Sequence, residues 1–229
     1  VAVSVVQTST FTATAGSTWS GTFGANVTAG NSLVLAVDGY TGTTFTGTTS
    51  NPKFAGTSVT GASQLFPDIG TASDGGTIWL LPNVAGGATG YSIDVSGYGS
   101  NTNTGIMAYE VAGLGPSPVV DQLVTSTTSA SVTTGAITSA PEFVMTLLVQ
   151  DATYSSGPGA GWTAGPFVSA NRNSATWYQV ATSAGGTYNA AYSFTSVRYI
   201  VAVVTLAPSQ AAAPESRMFP QAVKRSAYY

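Results

Sequence analysis

Neither cysteine nor histidine occurs anywhere in this chain. The first absence removes disulfides and thiolate metal sites, and with them any reading of the redox compartment. The second removes the commonest metal ligand and the commonest general base, so Ser-His-Asp and Cys-His nucleophile systems are excluded. Charge is scarce as well: Asp, Glu, Lys and Arg make up 7% of the residues, against about 25% in ordinary soluble domains. Thr, Ser, Asn and Gly must carry the polar surface instead, which suits a neutral adhesive or packed assembly protein. No apolar run approaches the roughly 18 residues of a membrane-spanning helix, and the first residues lack the layout of a signal peptide, so membrane insertion is not expected. Through Pro208 the acids outnumber Lys53, Arg172 and Arg198 by five, which argues against general nucleic-acid binding.

What is present is enough for a large core, since 43% of the 229 residues are hydrophobic. Short β-rich segments separated by Gly, Asn, Pro and Ser recur throughout, without 3.6-residue periodicity before the C-terminal tail. The chain is therefore expected to be all-β. Strands are expected at Val3–Thr8, Leu33–Val37, Thr77–Leu81, Tyr91–Val95, Ile106–Val111, Val119–Val124, Phe143–Val149, Thr176–Val180, Tyr188–Phe194 and Tyr199–Leu206. In "YSIDV" the residues Tyr91, Ile93 and Val95 share one face and Ser92 and Asp94 the other, the mark of a half-buried strand. In contrast, "FVMTLLV" and "YIVAVVTL" are apolar on both faces. Their second face is expected either under another subunit, a loop or the chain's own arm, or inside a thick single domain.

The chain also echoes itself. "TAGNSLVLAVDGY" is repeated in outline by "SAPEFVMTLLVQDATY", which aligns Asp38 with Asp151. "TIWLLPNVAGGATGYS" is echoed by "ATWYQVATSAGGTYNAAYS", aligning Trp79 with Trp177 and Gly86-Gly87 with Gly185-Gly186, and "IMAYEVAGLGP" by "YIVAVVTLAP". Three landmarks in one order predict two similar halves, 3–116 and 119–208. Because "GPSPVV" is too short for an independent linker, they are expected within one sandwich spanning 1–208.

The succession "AGN-SLVLAV", "PNVAGGATGYSIDV", "AYEVAGLGPSPVVDQ", "APEFVMTLLVQ", "GWT" and "VAVVTLAP" resembles a jelly-roll-type β-sandwich module. That module recurs in minor tail and other virion proteins of phages infecting actinobacteria, and in bacterial surface proteins. The resemblance covers about Val1 to Pro208 and carries no catalytic signature. It implies a two-sheet jelly-roll-like sandwich in a non-enzymatic virion structural protein, most simply a minor tail protein at the particle surface, outside the cell. Its partners would be other virion proteins, copies of itself and a host cell-envelope glycan. A capsid decoration or head-surface protein and a secreted carbohydrate-binding module are the alternatives, with a jelly-roll glycosidase a distant further one.

Carboxylates are the only side chains here suited to hydrolytic catalysis, and glycoside hydrolysis needs two across a cleft. Glu110, Asp38 and Asp151 are the candidates; the competing reading makes the two Asp residues turn-satisfying groups and places Glu110 at a rim. No catalytic residue is therefore expected. "GPGAGW" (157–162) lacks the following helix of a phosphate loop and reads as a turn. Asp38, Asp68, Asp74 or Asp151 could join backbone carbonyls around calcium, but the paired acids of an EF-hand loop are missing, and neither metal nor cofactor is expected. Tyr40, Tyr154, Trp162, Trp177 and Tyr178 fall near loops and edges where a sugar could stack. Trp79 and Trp177 read as core, leaving Tyr154 and Trp162 as the glycan-binding candidates.

The final stretch stands apart. After "APSQAAAP", an extended connector in which Pro208 and Pro214 flank small residues, "ESRMFPQAVKRSAYY" sets Arg217, Lys224 and Arg225 against Glu215 alone. Met218, Phe219, Val223, Tyr228 and Tyr229 are residue types suited to anchoring interfaces, and the cations can pair with acids on a partner. Ordering such a tail costs about 1–2 kcal/mol per residue, so residues 209–229 are expected to form an extended arm docked on a neighbouring subunit.

Overall fold

The computed structural model describes residues 2–13, 16–41, 44–70, 73–98, 104–150, 154–168, 174–194 and 198–209, without the side chains of 154–156. Asp151 and the arm residues Arg217, Met218, Phe219, Val223, Lys224, Arg225, Tyr228 and Tyr229 lie outside the described residues. The first half contains β1 (Ser4–Thr12), β2 (Thr18–Thr22), β3 (Ser32–Tyr40), β4 (Thr48–Phe54), β5 (Thr57–Ser58), β6 (Ser63–Gly70), β7 (Asp74–Leu81), β8 (Gly90–Ser96) and β9 (Gly105–Ala112). The second contains β10 (Val119–Ser126), β11 (Ser131–Thr133), β12 (Glu142–Gln150), β13 (Tyr154–Ser156), β14 (Thr163–Val168), β15 (Ser174–Ala181), β16 (Asn189–Ala191), β17 (Ser193–Phe194) and β18 (Tyr199–Ala207).

Two five-stranded antiparallel sheets face each other, one from each half: β1-β9-β3-β7-β6 and β10-β18-β12-β15-β14. Their strand orders correspond position by position. On its outer side the first carries a four-stranded sheet, β2-β8-β4-β5, and the second carries two ribbons, β11-β16 and β13-β17. The result is four β layers with three apolar interfaces. The alternation of side chains along each inner strand builds them. On β3, Val34 and Ala36 point to the interface between the halves while Leu33, Leu35 and Val37 point to the outer sheet. On β18, Ile200, Ala202, Val204 and Leu206 face the central interface, and Val201 and Val203 the outer ribbons. This explains why "FVMTLLV" and "YIVAVVTL" are apolar on both faces: they are inner strands of one thick body, covered by their own chain.

A polar contact crosses the seam between the halves. Tyr109 on β9 donates its hydroxyl to Thr176 Oγ1 on β15 at 2.5 Å, and Thr176 passes its own proton to the carbonyl of Pro166 at 2.7 Å. Gly165 is required beside them, because a Cβ there would stand 1.8 Å from the Tyr109 hydroxyl oxygen. Burial pushes the Tyr109 phenol far above its usual range, so it stays a donor.

The strand registers place the repeat more finely than the sequence does. β1 and β10 are interrupted at equivalent points, between Val5 and Gln7 and between Val120 and Gln122. Trp79 lies opposite Leu35 and Trp177 opposite Thr146, so the two tryptophans match as expected. The glycines are displaced by one. Gly87 donates to Val27 O and Gly185 to Ile137 O, making Gly87 and Gly185 the equivalent pair. Asp38 pairs with Gly105 and Val149 with Ile200, so Asp38 matches Val149 and is not the counterpart of Asp151.

Candidate functional site

Glu110 sits in the inner strand β9, fully buried, which corrects its expected place at a rim. Its Oε1 accepts from Thr28 N at 2.8 Å and Asn31 Nδ2 at 2.5 Å, and its Oε2 from Gln7 Nε2 at 2.6 Å. Gln7 in turn donates to Ala25 O and accepts from Ala25 N. The carboxylate fastens the loop before β3 to the sheet. With its donors in place and no exposed surface, it is poorly arranged to protonate a substrate.

The same slot in the second half is built differently. Gln122 matches Gln7, Thr205 takes the place of Glu110, and Glu142 takes the place of Asn31. The carboxylate has moved from one strand to its neighbour. Glu142 Oε1 accepts from Ser139 Oγ at 2.8 Å, while its buried Oε2 has no hydrogen-bond partner among the described residues. Burial, reinforced by the adjacent charge of Asp121, raises the Glu142 carboxyl above its ordinary value. Burial pushes Asp121 up too, but the N–H and hydroxyl of Thr138 outweigh it and hold that carboxyl below its usual range.

Asp68 also serves the fold. It accepts from the Tyr98 hydroxyl, from Thr49 N and Oγ1 at 3.2 and 3.0 Å, and from Gln64 Nε2 at 2.7 Å, while Trp79 Nε1 donates to Thr49 Oγ1 at 2.7 Å. A cation at Asp68 would have to displace these donors. Among the described residues no three acidic side chains come together in a way that could hold a metal ion. Asp74 accepts from Ser73 Oγ, which itself accepts from Arg198 of the second half at 2.8 Å.

Of the aromatic candidates, Trp177 is buried against Tyr192, with ring centroids 5.2 Å apart, and Tyr178 packs on Tyr109 and Phe143 in the central interface. Trp162 is half-buried against the outer layer of the second half and donates Nε1 to Asn189 O at 3.1 Å. Tyr154 lies in β13, and its side chain is outside the described residues.

A solvent-facing constellation that sequence reasoning missed lies on the outer sheet of the first half. Asp94 on β8 stands between Thr18 on β2 and Ser50 on β4. Thr18 Oγ1 donates to its Oδ1 at 2.7 Å, Asn51 Nδ2 to its Oδ2 at 3.2 Å, and Lys53 Nζ lies 3.7 Å from Oδ2. The hydroxyl of Thr18 first, then the Asn51 amide, lower the Asp94 pKa, with a smaller contribution from Lys53. The register of β4 breaks between Ser50 and Lys53, where Asn51 adopts a left-handed φ of 49°. Such a bulge re-aims a side chain, and Asn is among the residues that tolerate the conformation. A shallow cavity of about 350 Å³ lies beside the carboxylate, lined by Ser17, Thr48, Ser50 and Ser96. Its sequence signal was weak but present: an Asp flanked by Ser on the polar face of "YSIDVS", and the Asn-Pro interruption of "TTSNPKF".

Compared with protein-family models, curated proteins and solved structures, the chain matches none.

Proposed function

We propose that this chain is a non-enzymatic bacteriophage virion protein made of two jelly-roll units set back to back, most simply a minor tail protein, with its C-terminal arm tying it to the assembly. The observation that carries the reading is the doubled strand order. Each half sets its first strand beside its last, the last beside the third, and the third beside a later hairpin (β7-β6 or β15-β14), with the remaining strands on the outer side, an arrangement that supports a jelly-roll-like reading. The acids support a structural role: Glu110 and Asp68 are engaged in holding loops and strands. The arm begins from a fixed point, because Ser209 N donates to Leu114 O at 2.9 Å at the junction of the halves. In this reading residues 210–229, which follow that point, contact a neighbouring subunit.

The test is the solution mass and particle binding of the full chain beside a version ending at Pro208. Assembly by the full chain, with the shortened chain remaining a folded monomer, is the expected result. Identical inert monomers would remove the arm from the proposal. A carbohydrate-binding module is the second reading, favoured by the hydroxyl-lined depression at Asp94.

A further inference from the structure

The outer sheet of the first half exposes one face, and that face is almost entirely hydroxyl. Thr18, Ser20 and Thr22 on β2 are exposed, as are Thr48 and Ser50 on β4 and Ser96 on β8. Hydrogen-bond register places Thr48 beside Ser96, Ser50 beside Asp94, and Asp94 beside Thr18. Directly opposed side chains on such a face stand about 4.5–5.5 Å apart, close enough for neighbours to act on one small ligand. The hydroxyls of Ser17, Thr48, Ser50 and Ser96 form no side-chain hydrogen bond to the protein among the described residues.

Asp94 supplies the acceptor around which these hydroxyls are grouped. Its carboxylate offers about four lone-pair positions, and Thr18, Asn51 and Lys53 leave room for a further donor. Lys53 balances its charge, so the depression favours neither a free cation nor an anion. The bulge at Asn51 adds an amide at a backbone cost that a plain Ser50–Asp94 pair would not incur. Among the described residues Val95 is the only apolar one lining the cavity, and no aromatic ring borders it.

We propose that the depression at Asp94 is a binding site for a neutral, polyhydroxylated ligand, the polar edge of an uncharged glycan chain. Ligand hydroxyls donate to Asp94 and exchange hydrogen bonds with Ser50, Thr48 and Ser96. Because the site holds its ligand without stacking, each contact is weak, and useful adhesion comes from many copies acting together. This gives a location to the host-envelope glycan that the sequence resemblance implies as a partner, and it rests on the proposed virion role for its setting alone.

The experiment is native electrophoresis of the full chain through gels containing dextran, mannan, galactan or arabinan, with polygalacturonate as the charged control. Retardation in at least one neutral gel is expected. Asp94→Ala and the double variant Ser50→Ala/Ser96→Ala should each weaken it by about tenfold, with the melting temperature of the double variant unchanged. Trp162→Ala should leave it intact. No retardation in any neutral gel, retardation only by polygalacturonate, or retardation indifferent to both Asp94-site variants would each overturn the proposal. The chain ending at Pro208 should be retarded as the full chain is, which separates this site from the assembly role of the arm.

Discussion

The two halves share a strand order yet treat their layers differently. Their inner sheets match in strand number, order and interruption, whereas the outer layer is a four-stranded sheet in the first half and a pair of two-stranded ribbons in the second. The inner sheets must fit one another, so a change in either is felt across the seam. The outer layers meet only their own half and can diverge. The polar slot at the interrupted first strand makes the same point chemically. Both halves keep a carboxylate there, Glu110 on β9 and Glu142 on β12, but one is fully engaged and the other has an unpartnered oxygen. Folding requires a polar group in the slot and leaves open which strand supplies it.

The severest test of this comparison attacks the shared interface. Phe143 is fully buried between the inner sheets, with Tyr109 of the other half at 5.7 Å between ring centroids. Phe143→Ala should cost about 3–5 kcal/mol, and calorimetry should still show a single transition because both halves rest on that interface. Two separated transitions would mean that the halves are energetically independent. Next comes Glu110→Gln, which sets an amide N–H₂ among existing donors and should cost about 1.5–3 kcal/mol in chemical denaturation. A variant as stable as the parent would show that Glu110 does not fasten the loop.

Glu142→Gln should behave in the opposite sense. A carboxyl whose folded pKa is raised stabilises the fold below its unfolded pKa, and this contribution disappears as pH rises through the folded value. The variant should therefore equal the parent in acid and exceed its melting temperature toward neutral pH. Asp121, whose pKa is depressed, loses its contribution as pH falls and leaves an acid-side decline in both proteins. A parent with no excess loss on the neutral side would contradict the assignment. Smallest is Tyr109→Phe, which removes one seam hydrogen bond and should cost about 1 kcal/mol while leaving the ring packing in place.

Nine of the ten expected strands are present within a few residues, because inner strands are long apolar runs and β8 alternates cleanly, whereas Tyr188–Phe194 is divided between β16 and β17, which join different ribbons. The missed strands are edge or outer strands: β2, β4, β6 and β14 contain Gly, Pro or Asn residues that read as turns, and β5, β11 and β13 are only two or three residues long. Glu110 was misplaced for a related reason. Alternation shows that its face differs from that of Met107 and Tyr109, but an inner strand has no solvent face, and layer number is not written in one strand. Its donors Asn31 and Gln7 lie 79 and 103 residues away in the chain. The Asp94 depression was only half legible: the polar face of β8 could be read, but the register bringing Thr18 and Asn51 to it could not.

β18 is flanked along nearly its full length, by β10 from Ala207 to Val201 and by β12 from Leu206 to Tyr199. The arm continues from that strand. A pull transmitted through the arm along the strand axis therefore loads two ladders of hydrogen bonds in shear, so that many must yield together and none can be peeled away singly. An attachment rooted in this interior strand, as proposed for the arm, would convert the sheet into a tensile element, with its greatest mechanical resistance along the strand axis.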